Sequence, residues 1–157
     1  MTRCTGWVGL MTLVQALALY AGMHVTFNRT PSLPMGFYWQ TAPAPLHVGD
    51  IVRFMPPDRA LPYLGAYPPH VALVKQVVGL PGHSVCWAKA QMTVQTQAFP
   101  RQPQHPLPFV GCHPVQSGEL IVVGQHAKSL DSRQLGAIDQ RRVVARLIPL
   151  WTWGGAE

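Results

Sequence analysis

Val71-Ala-Leu-Val-Lys75-Gln-Val-Val-Gly-Leu80-Pro81-Gly82 is a long β-branched run closed by a Pro-Gly turn, with a lysine at its centre. β-branched runs of this length, bounded by turn residues, read as strands. A lysine in such a strand is partly desolvated, and desolvation disfavours its charged form. The ordinary alternative is a lysine on the outward face of the strand. Around this run the pattern repeats. Asp50 to Met55 alternates, Phe37-Tyr38-Trp39 starts a strand, and Ser84 to Trp87 and Met92 to Phe99 are candidates to pair. Glu119 to Val123 and Val143 to Leu150 complete the set. Asp58 to Pro69 and the Pro-rich Gln97 to Pro108 read as exposed loops. Helical periodicity is absent beyond the N-terminal segment, so the body is expected to be one mainly-β domain.

The N-terminal segment differs. From Cys4 to Asn28 the chain has no Asp, Glu, Lys or Arg, and its apolar centre runs from Trp7 to Val25. A bilayer core takes about 20 helical residues. A cleaved signal peptide and a retained anchor both fit, with Ala16-Leu-Ala18 and Ala21-Gly22 as small-residue candidates for cleavage. We favour the anchor, because the run is long for a signal peptide and ends just before the motif described next. The expected division is a membrane anchor over 1–27 and a folded domain over 28–157. Arg3 lies on one side of the run and Arg29, Arg53 and Arg59 on the other, so the arginine count alone leaves orientation ambiguous.

The chain has 157 residues, 48% of them apolar and only 11% charged, with 14 Gly and 16 Pro. These figures exclude a disordered chain, a coiled coil, a collagen-like repeat and a disulfide-dense miniprotein. The formal charge is +6, but the basic residues are scattered singly, apart from the adjacent Arg141-Arg142, and form no stripe. A nucleic-acid partner is therefore not expected. No metal site is expected either, because the His and Cys residues lack ligand spacing, and no cofactor is implied.

Two further segments carry polar residues in fixed patterns. In Thr30-Pro-Ser32-Leu-Pro34-Met-Gly36 the prolines stiffen the backbone around Ser32, and Gly36 allows an unusual turn. A nucleophile needs such a fixed hydroxyl close to a base. In Ser129-Leu-Asp131-Ser-Arg133-Gln-Leu-Gly136, Asp131 and Arg133 are spaced to pair and shape a turn. Read separately, a linker and a surface turn are the better explanations of the two segments.

In order and spacing the three segments resemble the type I signal peptidase superfamily, and within it the conjugative-transfer TraF peptidases. The boxes are Ser32-Leu-Pro-Met-Gly36, Lys75-Gln-Val-Val-Gly-Leu-Pro-Gly82 and Ser129 to Gly136. The stretch Asn28-x-Thr30-x-Ser32-x-Pro34-x-Gly36-x-Tyr38 and the Gly111-Cys112 pair before Gly118-Glu119 are similar to the TraF versions. The resemblance implies a signal-peptidase-like β domain with Ser32 as nucleophile and Lys75 as general base. It implies an oxyanion role for Thr30 beside the Ser32 N–H, a hydrogen bond from Ser129 to Lys75, and bracing by Asp131 and Arg133. The implied substrate is a pilin precursor or another exported pre-protein, processed at the membrane lipid surface by hydrolysis or cyclisation. A general signal peptidase and a non-enzymatic component of a pilus or secretion apparatus are the competing readings. Gln76, His83 and Gln125-His126 depart from the usual pattern.

Cys86 and Cys112 are the body's two cysteines, either bridged or left as free buried thiols. We expect the bridge. It would close a loop of about 27 residues, stabilise by roughly 3 kcal/mol in the chain-entropy account, and require an oxidising compartment. That places the body in the periplasm, anchored in the inner membrane by a single pass.

Overall fold

The computed structural model describes residues 4–154 apart from 66, 69, 103 and 104. Arg3, which entered the orientation argument, and residues 155–157 of the expected domain lie outside the described residues. The body is two antiparallel sheets. The first has seven strands: β1 (Val25–Asn28), β2 (Met35–Thr41), β3 (Ile51–Phe54), β4 (Leu73–Gly79), β9 (Glu119–Val123), β10 (Ile138–Asp139) and β11 (Val143–Trp153). They lie in the order β1-β2-β11-β3-β4-β9-β10. The second sheet is formed by β5 (Ser84–Trp87), β6 (Gln91–Val94), β7 (Gln97–Pro100) and β8 (Gly111–Pro114), in the order β7-β6-β5-β8.

Alternation explains how the layers share a core. On β9, Leu120 and Val122 point to one cluster with Val52, Phe54, Val77 and Ile138. Ile121 and Val123 point the other way, to Val85, Trp87, Met92 and Val94 of the second sheet. Successive side chains of a strand face opposite sides, so a strand covered on both faces needs apolar residues at every position. The unbroken Leu-Ile-Val-Val of β9 meets that need, and all four are buried. β4 is more selective: Lys75, Val77 and Gly79 are buried, while Val74, Gln76 and Val78 are half-buried. The lysine therefore shares the inward face with Val77.

The N-terminal segment forms helix α1 (Cys4–His24). Leu10, Met11, Leu13, Val14, Leu17 and Leu19 are all exposed, leaving no continuous polar face. Its base is pinned to β2 by His24 stacked on Trp39, with ring centroids 5.2 Å apart. The expected anchor over 1–27 needs correction in two respects. The helix ends at His24, and residues 25–28 leave it as β1, paired with β2. By hydropathy, no helix among the described residues is long and apolar enough to cross a membrane.

Two loop expectations also change. Asp58 to Pro69 contains a turn of 3-10 helix (Asp58–Ala60) and the short helix α2 (Leu61–Leu64). Met92 to Phe99 is not one strand but a hairpin, β6 and β7, turning at Gln95-Thr96 with Gln95 at φ +53°. The Pro-rich segment thus begins as a strand and continues through Arg101, which is buried. The Arg101 guanidinium donates to the carbonyls of Ala88, Lys89, Pro106 and Arg133. Its planar fork with five donors can satisfy several carbonyls at once, which proline-rich backbone otherwise leaves unpaired.

Cys86 and Cys112 face each other across β5 and β8 and are joined by a disulfide, with Cα atoms 3.9 Å apart. Gly36 lies within β2 rather than in a turn. It has φ +140°, and a Cβ there would collide with the Trp151 carbonyl of β11. Both sides of that collision are backbone, so neither can rotate away. Gly36→Ala should therefore lower stability by about 1–3 kcal/mol, visible as a drop of several degrees in melting temperature. An unchanged melting curve would show that β2 and β11 can separate there without penalty.

Candidate active site

The turn between β1 and β2 is organised by one side chain. Asn28 is buried and donates from Nδ2 to the carbonyls of Thr30, Leu33 and Pro34. Its Oδ1 accepts from the Thr30 N–H and hydroxyl, at 3.3 and 3.1 Å. Tyr38, fully buried, donates its hydroxyl to the Pro34 carbonyl at 2.6 Å. The loop has few backbone hydrogen bonds of its own, so a side-chain amide supplies them. Ser32 sits at the centre of this loop and is 7% exposed. The Gln125 N–H donates to the Ser32 carbonyl at 2.7 Å and fixes the loop from the far side.

Lys75 reaches the serine from β4. Its Nζ donates to Ser32 Oγ and to the Val74 carbonyl, both at 2.9 Å. Lys75 is 3% exposed. Burial lowers its pKa from an ordinary 10.5 to about 8; the charge of Asp131 works against this and that of Arg133 adds to it. Near pH 8 the neutral amine is thus well populated, and a neutral amine accepts the Ser32 proton along the same short contact. The Thr30 hydroxyl lies 3.2 Å from Ser32 Oγ. In this conformation the Thr30 hydroxyl also contacts Asn28 Oδ1, so it orients the loop.

Asp131 and Arg133 form a fork beneath the site. Arg133 Nε and Nη2 donate to the two Asp131 oxygens at 2.9 and 2.7 Å, and both residues are buried. The remaining valences are filled. Asp131 accepts from the N–H groups of Gly124 and Arg133. Arg133 donates to the carbonyls of Pro100, Gly124 and His126. Asp131 also caps helix α3 (Ser132–Leu135), with Gln134 closing a capping box.

The hydrogen bond expected from Ser129 to Lys75 is absent. Ser129 Oγ is buried and has no hydrogen-bond partner among the described residues. The reason lies in the turn: the Ser129 N–H is tied to the His126 carbonyl, and its hydroxyl presses against Gly124. The second acceptor for Lys75 is its own strand's Val74 carbonyl. Sequence reasoning gave no role to Asn28, though it was quoted within the serine box, and none to Arg101. Its one usable signal was the Asn-x-Thr-x-Ser spacing.

The site opens into a cleft of about 1040 Å³ that runs along Thr26 to Ser32, Val71 to Lys75 and His126 to Leu130. Among the described residues no group of three or more His, Cys, Asp or Glu is placed to hold a metal ion.

Three variants separate the parts. Asp131→Ala leaves a buried guanidinium unpaired and should cost about 3–5 kcal/mol, read as a large fall in melting temperature. Ser129→Ala removes a hydroxyl that makes no hydrogen bond and should melt at or above the parent. Lys75→Met should melt above the parent at pH 7. A lowered pKa means the folded state gains stability as pH rises from about 8 toward 10.5 and lacks it below about 8. The advantage of Lys75→Met should therefore shrink over that window, and an advantage independent of pH would contradict the burial of a titrating amine.

Three comparisons with known proteins found similarities. The family described as signal peptidase, peptidase S26, matches residues 3–152. The plasmid transfer protein TraF of Escherichia coli is 27% identical over 163 residues, covering 89% of this chain and 91% of its own. A signal peptidase I of Enterococcus faecalis superposes with a TM-score of 0.45 at 19% identity, covering 67% of this chain and 98% of that one. With the family match extending over nearly its whole length, the chain belongs to the signal peptidase family, peptidase S26.

Proposed function

We propose that this chain is a serine endopeptidase, held at the membrane, that processes an exported precursor, and specifically a pilin precursor of conjugative transfer. The observation that carries the reading is the 2.9 Å contact between Ser32 Oγ and a buried lysine whose pKa is lowered to about 8. Neutral Lys75 takes the Ser32 proton as Oγ attacks the scissile carbonyl. The leaving amine receives that proton, and an acyl-enzyme ester on Ser32 remains. Water resolves the ester to an acid, whereas the substrate's own amino terminus would resolve it to a cyclic peptide. The backbone N–H of Ser32 and the Thr30 hydroxyl are the donors nearest the developing oxyanion. Because Thr30 is shared with Asn28, it serves the oxyanion only after rotating toward the substrate.

The substrate would lie extended. β1 is an edge strand, and Thr26 to Asn28 of that strand line the cleft, so a peptide can add its backbone to the free edge. The similarity to a plasmid transfer protein supports a role in conjugative transfer, and the precursor we assign to that role is a pilin. A second reading, general removal of signal peptides by the same chemistry, is favoured by the breadth of the family match.

Membrane attachment would come from α1, whose exposed apolar side chains need a cover. Phe27, Phe37, Trp151 and Trp153 are exposed beside it and extend the apolar surface onto the sheet. Aromatic residues of this kind favour a membrane–water boundary. The disulfide suits an oxidising compartment, which for a body on the outer face of the inner membrane is the periplasm.

In cells that co-express a candidate pilin, Ser32→Ala and Lys75→Met should abolish the mass shift of processing. Lys89→Ala and Lys128→Ala should leave most of it. Lys75→Arg should also be inactive, because a guanidinium does not deprotonate. Activity should rise with pH through about 8 and level off above it, the limb belonging to Lys75. Full processing by Lys75→Met would end the dyad reading. The full chain should sediment with the membrane fraction, and a periplasmic body should yield no alkylatable body thiols before reduction.

A further inference from the structure

The cleft has an unbalanced charge. Its lining includes four cations, Arg29, Arg53, Lys75 and Lys128, together with His70 and His126, and no aspartate or glutamate. None of the four cations is in an ion pair among the described residues, whereas the described carboxylates are engaged elsewhere. Asp50 lies beside His47 and Arg146, Asp58 beside Arg142, and Asp139 against Arg141. Glu119 accepts from the Gln116 N–H on another face. Asp131 is buried beneath the floor and already forked by Arg133. Arg29 and Lys128 are exposed, and the half-buried Arg53 makes one neutral hydrogen bond, to Gln40 Oε1. Arg29 is three residues from the serine, and Arg53 pairs with Val74, the neighbour of Lys75, across β3 and β4.

We propose that the cleft selects a peptide segment carrying aspartate or glutamate side chains within a few residues of the bond presented to Ser32. Arg29, Arg53 and Lys128 supply the complementary charge. This rests on the peptidase reading only in taking Ser32 as the point the segment runs past. Like-signed walls focus field lines into a concave site, so a carboxylate gains in encounter rate and in register. Each exposed pair contributes modestly, up to about fivefold, and weakens with salt. Several acting together still separate an acidic segment from a neutral one.

The test uses full-length Ser32→Ala in detergent and labelled ten-residue peptides blocked at both ends. Their sequences are alike except for two central Asp, Asn or Lys residues. Fluorescence anisotropy should show the Asp peptide binding about five- to tenfold tighter than the Asn peptide at low salt, and the Lys peptide weakest. The preference should fall with added salt and vanish in Arg29→Gln/Arg53→Gln/Lys128→Gln, provided that variant melts like its parent. Equal or undetectable binding of the Asp and Asn peptides overturns the proposal. So does a preference that survives in the neutralised variant, or one that appears only when the peptide carries a free terminal carboxylate. Retention of the Asp peptide by anionic vesicles alone, with no peptide binding in neutral detergent, also overturns it. The parent enzyme then separates the two readings. Cleavage without acidic preference rejects this inference and keeps the peptidase, whereas acidic binding without cleavage keeps the inference and rejects the peptidase.

Discussion

The Asp131–Arg133 fork is the interaction on which the site depends. Through it, α3, the Gly124–His126 segment and the end of β7 are joined by charge-assisted hydrogen bonds inside the protein. Gly124 is gripped at both its N–H and its carbonyl, and the next residue, Gln125, donates to the Ser32 carbonyl. A buried ion pair is a poor source of net stability, since desolvation offsets most of its attraction. Here its value is geometric. Besides bonding each other, the two side chains are matched to backbone groups of Gly124, Arg133, Pro100 and His126, so the turn has a single arrangement that satisfies them.

The fork also sets the electrostatics around Lys75. An amine buried alone would be driven far toward neutrality, and one beside an unpaired carboxylate would stay fully charged. Asp131 raises the lysine's pKa and Arg133 lowers it, while burial prevails. The outcome, near 8, lets the amine be neutral in a useful fraction of molecules without losing the basicity that proton abstraction requires. β4 makes the burial possible, because its alternation puts Lys75 on the same face as Val77. On the neighbouring strand β3, Val52 stands opposite Lys75, and Arg53, opposite Val74, reaches the cleft lining. Net positive charge and the excess of cations along the cleft are therefore two aspects of one distribution, in which the described acidic residues other than the buried Asp131 are engaged away from the cleft.

The second sheet stabilises this arrangement from behind. Trp87 packs in the inter-sheet core and donates its indole N–H to the Ser132 carbonyl of α3. Arg101 ties the Arg133 carbonyl to Ala88 and Lys89. The disulfide holds β5 to β8 at the same end. Lys75 lies on the first sheet and Ser32 in the loop between its β1 and β2, yet the turn packed against them is clamped by the second sheet.

Local periodicity alone identified β4, β9 and β11 and the N-terminal helix, because alternation and apolar run length are properties of residues a few positions apart. The order of the three boxes likewise indicated Ser32, Lys75 and the Asp131–Arg133 turn, and the parity of the body's cysteines indicated the bridge. Other features depended on the folded chain. Gly36 is required by the Trp151 carbonyl, more than a hundred residues away, and no local pattern contains that approach. Arg101 converts a proline-rich stretch into ordered structure by collecting carbonyls from three separate segments. Asn28 orders the serine loop by bonds that exist only once β1 and β2 have paired. The Ser129 hydroxyl, which motif matching alone directs to Lys75, is turned against Gly124 by the closure of its own turn. Periodicity and motif order are short-range information. The direction of a side chain, and the charge that surrounds it, are fixed by which distant backbone atoms the fold brings beside it.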